Sequence, residues 1–252
     1  MSNYHPEKYW SEVADRILER EGGNVVAGDD EPYYRYKRAR FLEMLQSLDF
    51  QGKNVMELGS GPGGNLNFIS QFKPKRLTGA DISQNMIELA TKNTAGKAEL
   101  VKIDGQRLPF EDQTFDLVFS ATVLQHNSDD AMMKSILREM CRVSGGQVAI
   151  FERIESTLLG DDLCMGRPVD YYAAICEAEG FELVETEFIN INLSYYVCGA
   201  IRKGLNPGTR KEGEPLNGVS NFLQNATLAV TKPLDKVFTA KRDLGKLVFR
   251  RR

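Results

Sequence analysis

The spacing of apolar positions changes character near residue 53. Before that point it is helical. Residues 7–21 predict an amphipathic helix with Trp10, Val13, Ile17 and Leu18 on one face, stopped by Gly22-Gly23. Residues 34–48 predict a second, with Phe41, Leu42, Leu45 and Leu48 facing a core. From Lys53 onward, short apolar runs alternate with helical ones. NVMEL, RLTGAD, AELVKID, FDLVFS, QVAIFE and FELVETEFI read as strands. LNFISQF, SQNMIELATKN and residues 129–142 and 169–179 read as helices. That alternation implies βαβ units and a parallel sheet covered on both faces, and right-handed crossovers make it doubly wound. After Ile191 the rhythm breaks. A helix ending at Gly204, the loop NPGTRKEGEPLNG and a mainly helical stretch to about Arg242, interrupted near Pro233, precede a last strand, KLVFRR.

The predicted organisation is a single α/β domain over residues 1–252. It comprises an N-terminal helical cap (1–50), a core (51–191), a helical insertion (192–244) and a last strand (245–252). The insertion has too few large apolar residues to be expected as a domain with its own core. Charged residues at 27% and hydrophobic residues at 42% are ordinary for a folded domain. The N-terminus lacks a basic start followed by an apolar run, and no stretch approaches the ~20 apolar residues of a membrane span, so a cytoplasmic protein is expected. Cys141, Cys164, Cys176 and Cys198 form no CxxC pair, and His5 and His126 are the only histidines. Reduced buried thiols are expected, and no metal site. The net charge of −3 conceals an asymmetry. Residues 201–252 carry 12 basic and 4 acidic side chains, against 20 basic and 31 acidic in the rest.

The densest motif is VMELGSGPGGN, in which Gly59, Gly61 and Gly64 satisfy G-x-G-x-x-G between a strand and a helix. Glycines there permit a tight turn and close approach of a ligand to the backbone. Nicotinamide and flavin enzymes share the pattern, so it does not discriminate alone. Three carboxylates sharpen it: Glu57 on the first strand, Asp81 ending the second and Asp104 ending the third, all toward one crevice. An acidic rim without a basic cluster suits a ligand bearing hydroxyls, amines and positive charge rather than a pyrophosphate. Any of these acids could instead cap a helix, Asp81 before Ser83 most readily.

Taken with GADIS, DGQRLPFEDQTFDLVFS and LREMCRVSGGQVAIFE, in this order, residues 53–191 resemble class I S-adenosylmethionine-dependent methyltransferases, most closely the ubiquinone/menaquinone-biosynthesis-like small-molecule branch. The resemblance implies a Rossmann-like seven-stranded sheet, mostly parallel with an antiparallel last strand. It implies that Gly59, Ser60, Gly61 and Gly63 border the methionine part of S-adenosylmethionine, with Glu57 orienting the loop and the ammonium. Asp81 would accept from the ribose hydroxyls, Ile82 and Met86 would pack on adenine, and Asp104 and the Gly105 nitrogen would bond its edge. Ser120 and Ala121 would lie near the sulfonium. The segment GDDEPYYRYKR would fold over the cofactor, with Tyr33, Tyr36 and Arg38 as closing residues, or stand as a solvated helix start. His126, after the fourth strand, is the candidate catalytic base, the alternative being a structural or pocket-lining role.

The acceptor is expected to be a small molecule. SATVLQH lacks the Asn/Asp-Pro-Pro-aromatic run of base and glutamine amino-methyltransferases and the Pro-Cys nucleophile of cytosine enzymes, and the acidic body disfavours nucleic acid. Asp129 and Asp130 begin a helix rather than ligate a metal. The basic insertion has three readings: a lid, a homodimer surface, or a peripheral contact with an anionic membrane through Leu234, Val237 and Phe238 with Lys232, Lys236, Lys241 and Arg242 around them. The stripe is short, which favours the lid. Two other functions are weighed: an NAD(P)-dependent Rossmann oxidoreductase, which the glycine pattern allows but the other strand-end motifs fit less well, and a non-catalytic cofactor-binding protein, against which the intact glycine loop with Asp81 and Asp104 argues.

Overall fold

The structure is a computed structural model and describes residues 5–19, 31–209, 216–239 and 241–252. Gly22-Gly23, the predicted end of the first helix at Glu21, residues 28–30 of the predicted closing segment and residues 210–215 of the long loop lie outside the described residues. The chain divides into two compact units, residues 1–15, 49–187 and 242–252 in one and 16–48 and 188–241 in the other.

The first unit is the α/β body. Its strands are β1 (Asn54–Leu58), β2 (Arg76–Asp81), β3 (Glu99–Lys102), β4 (Phe115–Ala121), β5 (Ser144–Ile154), the short pair β6 (Leu159–Gly160) and β7 (Met165–Gly166), β8 (Phe181–Phe188) and β9 (Asp243–Arg251). Its helices are α1 (Pro6–Leu18), which begins in this unit, and α3 (Gly64–Ile69), α4 (Gln84–Thr94), α5 (Asp130–Val143) and α6 (Val169–Ala178). Seven strands form one sheet in the order β3-β2-β1-β4-β5-β9-β8. The pairs among β3, β2, β1, β4 and β5 are parallel, while β9 runs antiparallel to β5 with Phe151 opposite Lys246. This is the predicted doubly wound sheet with its antiparallel last strand. The central strands are apolar on both faces because helices cover both: in β4, Phe115, Leu117, Val118 and Phe119 are all buried, as are Val148–Phe151 of β5. The edge strand β3 is largely exposed.

Strand order reverses between β1 and β4, so the carboxyl ends of these two strands flank the crevice where open α/β sheets bind ligands. Asp129 caps α5, accepting from the Met132 N–H at 3.0 Å, as a helix start requires. The cap of α4 is Ser83, whose hydroxyl accepts from Met86 N–H; Asp81 does not cap it. Strand β5 is longer than QVAIFE, and β9 begins at Asp243, earlier than the predicted boundary at 245. All four cysteines are free thiols, three buried and Cys164 half-buried.

The second unit assembles α2 (Pro32–Gln46) with α7 (Asn192–Leu205) and α8 (Gly218–Asp235), two segments distant in sequence. Pro233 lies inside α8, two residues from its end, and does not interrupt the helix. No side chain at Ile191 caps α7. Instead the buried Asp235 carboxylate, from α8, accepts from Leu193 N–H at 2.8 Å, Ser194 N–H at 3.2 Å and Ser194 Oγ at 2.5 Å. A tertiary carboxylate thus replaces the local cap, satisfying two of the helix's orphan donors. Asp235→Ala should lower stability by about 2–3 kcal/mol, since hydrogen bonds to a buried charge are lost and donors are left unpaired. Urea unfolding with amide exchange checks this: protection should fall first at the start of α7, and an unchanged midpoint would remove the capping role.

Candidate active site

The glycine loop follows β1 and is held by its neighbours. Gly59 N–H and Ser60 N–H both donate to Ala80 O, at 2.7 and 3.1 Å. Gly59, Gly61 and Gly63 have φ of +69°, +50° and +86°, the left-handed region that favours glycine. A Cβ at Gly59 would lie 2.3 Å from Val123 Cγ2, so the loop after β1 packs on the loop after β4 without room for a methyl. A Cβ at Gly61 would meet nothing within 4 Å. The loop is therefore tight at its base and open at Gly61.

The three predicted carboxylates differ in setting. Glu57 is 1% exposed and accepts from Asn65 Nδ2 at 2.6 Å. Asp81 is buried, with Oδ2 accepting from Gly61 N–H and Oδ1 from Ser83 N–H, each at 2.9 Å. Burial pushes the Asp81 carboxyl up, and backbone donors from Ser83, Gly61 and Ile82 pull it partly back. Asp104 is exposed, and Oδ1 accepts from Gln106 N–H at 2.8 Å and Arg107 N–H at 3.0 Å, which hold its pKa below the usual value. Ile103 N–H bonds Asp81 O, and Gly105, at φ +78°, sits against Ile82, so the segment after β3 is tied to the one after β2. Met86, in the first turn of α4, is buried.

Ser120 and Ala121 end β4. The Ser120 hydroxyl donates to Glu152 Oε1 at 3.1 Å and is fully buried. Glu152, on β5, is also fully buried. It accepts from Val123 and Leu124 N–H through Oε1 and from Gln125 N–H through Oε2, each at 3.0 Å. One carboxylate thereby fixes the turn 122–126, including Thr122 at φ +56°. Burial raises its pKa, and these four donors oppose the rise. Arg167, 2% exposed, closes the same turn by donating to Leu124 O at 2.9 Å and Asn127 O at 2.6 Å. Sequence reading missed both residues. Glu152 carried a usable signal, an acid directly after the apolar run VAIF, much as Glu57 follows Val55 and Met56. Arg167 carried none.

His126 ends this turn. Its Nδ1 lies 2.6 Å from Leu163 O, so the proton sits on Nδ1 and is donated to that carbonyl. Its Nε2 is 3.2 Å from Gln125 Nε2. The Gln125 amide is oriented by Arg153 N–H, which donates to Oε1 at 2.8 Å, so its NH₂ faces the imidazole. The first turns of α1 reach this neighbourhood. Trp10 packs edge-on against His126 at 5.1 Å, Ser11 Oγ lies 2.9 Å from Ser83 Oγ, Asp15 accepts from Asn85, and Glu7 pairs with Lys102. Start-of-chain residues thus bridge the carboxyl ends of three strands. Tyr36 and Arg38 lie in the other unit, on α2. Burial and the Asp235 carboxylate push the Tyr36 phenol up to about 12, and Arg38 stacks over Phe41.

Residues 55–145 match the family model described as a methyltransferase domain. The chain is similar to this family over just over a third of its length. It is 33% identical over 110 residues to a malonyl-[acyl-carrier protein] O-methyltransferase of Legionella pneumophila, a match covering 42% of this chain and 39% of that one. It is 35% identical over 99 residues to a fatty-acid O-methyltransferase of Mycolicibacterium smegmatis, covering 38% and 36%. The matches thus span well under half the length of these relatives. Magnesium protoporphyrin IX methyltransferase of Synechocystis, solved with S-adenosylmethionine, covers the whole of both chains with a TM-score of 0.60 at 11% identity, a likeness of fold. The matched segment extends through β4 and α5, so it includes the Glu152-held turn but not Glu152 itself.

Glu152→Gln should cost about 1–3 kcal/mol, because an amide cannot accept from all four donors. The sign of its pH dependence follows from the raised pKa. Where the folded protein holds the proton more tightly than the unfolded chain, stability declines as pH rises from the unfolded to the folded value. Wild-type stability should therefore fall relative to the Gln variant as pH climbs above about 4.5. Urea titrations across that range check it, and parallel curves would show that Glu152 does not titrate abnormally.

Proposed function

We propose that the protein is an S-adenosylmethionine-dependent methyltransferase acting on an O, N or C atom of a small organic acceptor, ring-bearing or lipid-like. One observation carries this reading: a glycine loop open at Gly61, with the buried Asp81 carboxylate 2.9 Å from the Gly61 nitrogen. The residues present fit the cofactor. Each Asp81 oxygen accepts from a backbone N–H and keeps a further acceptor site for a ribose hydroxyl. Ile82 and Met86 offer apolar surface to adenine, Asp104 and the Gly105 nitrogen an acceptor and a donor for its edge, and Gly59, Ser60, Gly61 and Gly63 a backbone wall for the methionine part. Glu57, through Asn65, keeps negative charge behind the loop and favours an ammonium. Tyr36 and Arg38 are proposed as closing residues.

When bound, S-adenosylmethionine supplies a methyl carbon activated by its sulfonium. The chain has then to align the acceptor and exclude water, effects worth up to ~7–11 kcal/mol. Trp10, packed on His126, and the turn 122–126, held by Glu152, are proposed as walls for the acceptor. Donation of Nδ1–H to Leu163 O leaves Nε2 as the basic nitrogen, so His126 takes the acceptor's proton once the acceptor replaces the Gln125 amide at Nε2. The two curated relatives are named for O-methylation of acyl substrates, which supports oxygen as the attacked atom. The motif resemblance supports the ubiquinone/menaquinone-like branch and hence a phenol or quinol.

Calorimetry should show S-adenosylhomocysteine binding and no NAD binding; the reverse result overturns the reading. Asp81→Ala should weaken S-adenosylhomocysteine at least about tenfold, through the ribose contact and the loosened Gly61. A panel of phenols, quinols, amines and fatty acids with labelled cofactor identifies the acceptor. With a phenol or quinol, His126→Ala should lower kcat about 10²-fold or more while leaving cofactor affinity intact. A carboxylate acceptor, already deprotonated, should show no such loss. Near-wild-type turnover of a phenol across pH removes the base role.

A further inference from the structure

Helix α8 is built inside out. Its buried positions are Ser220, Gln224, Leu228, Thr231 and Asp235, four of the five polar. Asp235 and Thr231 bond Ser194 of α7, and Ser220 accepts from Asn206. The exposed side carries the large apolar residues Val219, Phe222, Leu223, Val230 and Leu234, with Val237 just beyond the helix, 37–72% exposed. At 100° per residue these six fall in an arc of about 120°. Ala226 and Pro233 fill the positions between them, so no polar or charged residue interrupts the arc. A helix facing only water would place these residues the other way round.

The charges beside the arc say what it meets. Lys236 borders it on one side, Lys232 lies farther round over the Tyr36 ring, and Lys241 follows in sequence. Between residues 216 and 239 Asp235 is the only carboxylate, and it is buried against α7. A second copy of this face would bring lysines and no counter-charge. An anionic lipid surface offers both complements, acyl chains for the arc and phosphates for the lysines. No described helix is long and apolar enough to cross a membrane, so the contact would lie in the interface.

We propose that the apolar face of α8 docks the protein on an anionic lipid bilayer. The inference stands on this helix alone and is independent of the reaction proposed above. The test is co-flotation of the full chain with phosphatidylcholine vesicles containing about a quarter phosphatidylglycerol, against phosphatidylcholine alone. Binding should require the anionic lipid and fall with added salt. Phe222→Glu with Val230→Glu should reduce it about tenfold or more, as should Lys236→Glu with Lys241→Glu. Circular dichroism should show both variants folded, since these side chains are exposed. A Phe222→Trp probe should shift its emission to the blue on anionic vesicles, and this readout needs no loss of binding. Absence of binding together with an unshifted emission from the Phe222→Trp probe overturns the proposal. So does a dimer in light scattering that Phe222→Glu with Val230→Glu dissociates without vesicle binding in the wild type, which would assign the face to self-association.

Discussion

The buried carboxylate of Glu152 is the constraint on which the site's shape depends. Taking a carboxylate fully out of water is costly, and it is tolerated because four donors converge on it. Three of those donors are consecutive backbone N–H groups, so the carboxylate sets the path of the chain from Val123 to Gln125. The consequences run outward. Val123 is held against Gly59, and that contact forbids any side chain at Gly59 and locates the base of the glycine loop. Gln125 is held so that its amide faces His126, and Arg167 locks the carbonyls of the same turn from the other side.

The same device recurs. Asp81 binds the N–H groups of Gly61 and Ser83 as Glu152 binds those of 123–125, and Asp235 binds those of Leu193 and Ser194. In each case a carboxylate on one element satisfies backbone donors that a loop or helix start leaves unpaired. At Asp81 the device suits the proposed ribose contact, because a carboxylate already ordered by the backbone would present its remaining acceptor sites without having to be immobilised on binding.

Much of the body was legible from residues 53–191. Strands such as NVMEL and FDLVFS are mostly apolar because both faces are covered, and the connections between strands and helices include glycine, proline, serine and asparagine. The glycine loop and the strand-end acids were legible for a local reason: left-handed turns require glycine, and an acid on an apolar strand is conspicuous. Arg167 was not legible, since an arginine between Gly166 and Pro168 looks solvated until the fold buries it. Nor was the role of Trp10, which looked like one member of a helix's apolar face and instead packs its ring on His126.

The helical insertion marks the boundary of what local pattern can decide. The sequence by itself determined the alternation of elements, the handedness of their connections and the chemistry gathered at the carboxyl ends of β1, β2 and β3, because these follow from periodicity, chirality and side-chain type. Only the tertiary structure decided that α2, α7 and α8 assemble into one unit, that α8 turns its polar side inward, and which donors each buried acid serves. An amphipathic pattern defines two faces but not which of them is buried. That choice rests on whether a partner such as Ser194 waits to pair with Asp235, and such a partner is brought close only by folding.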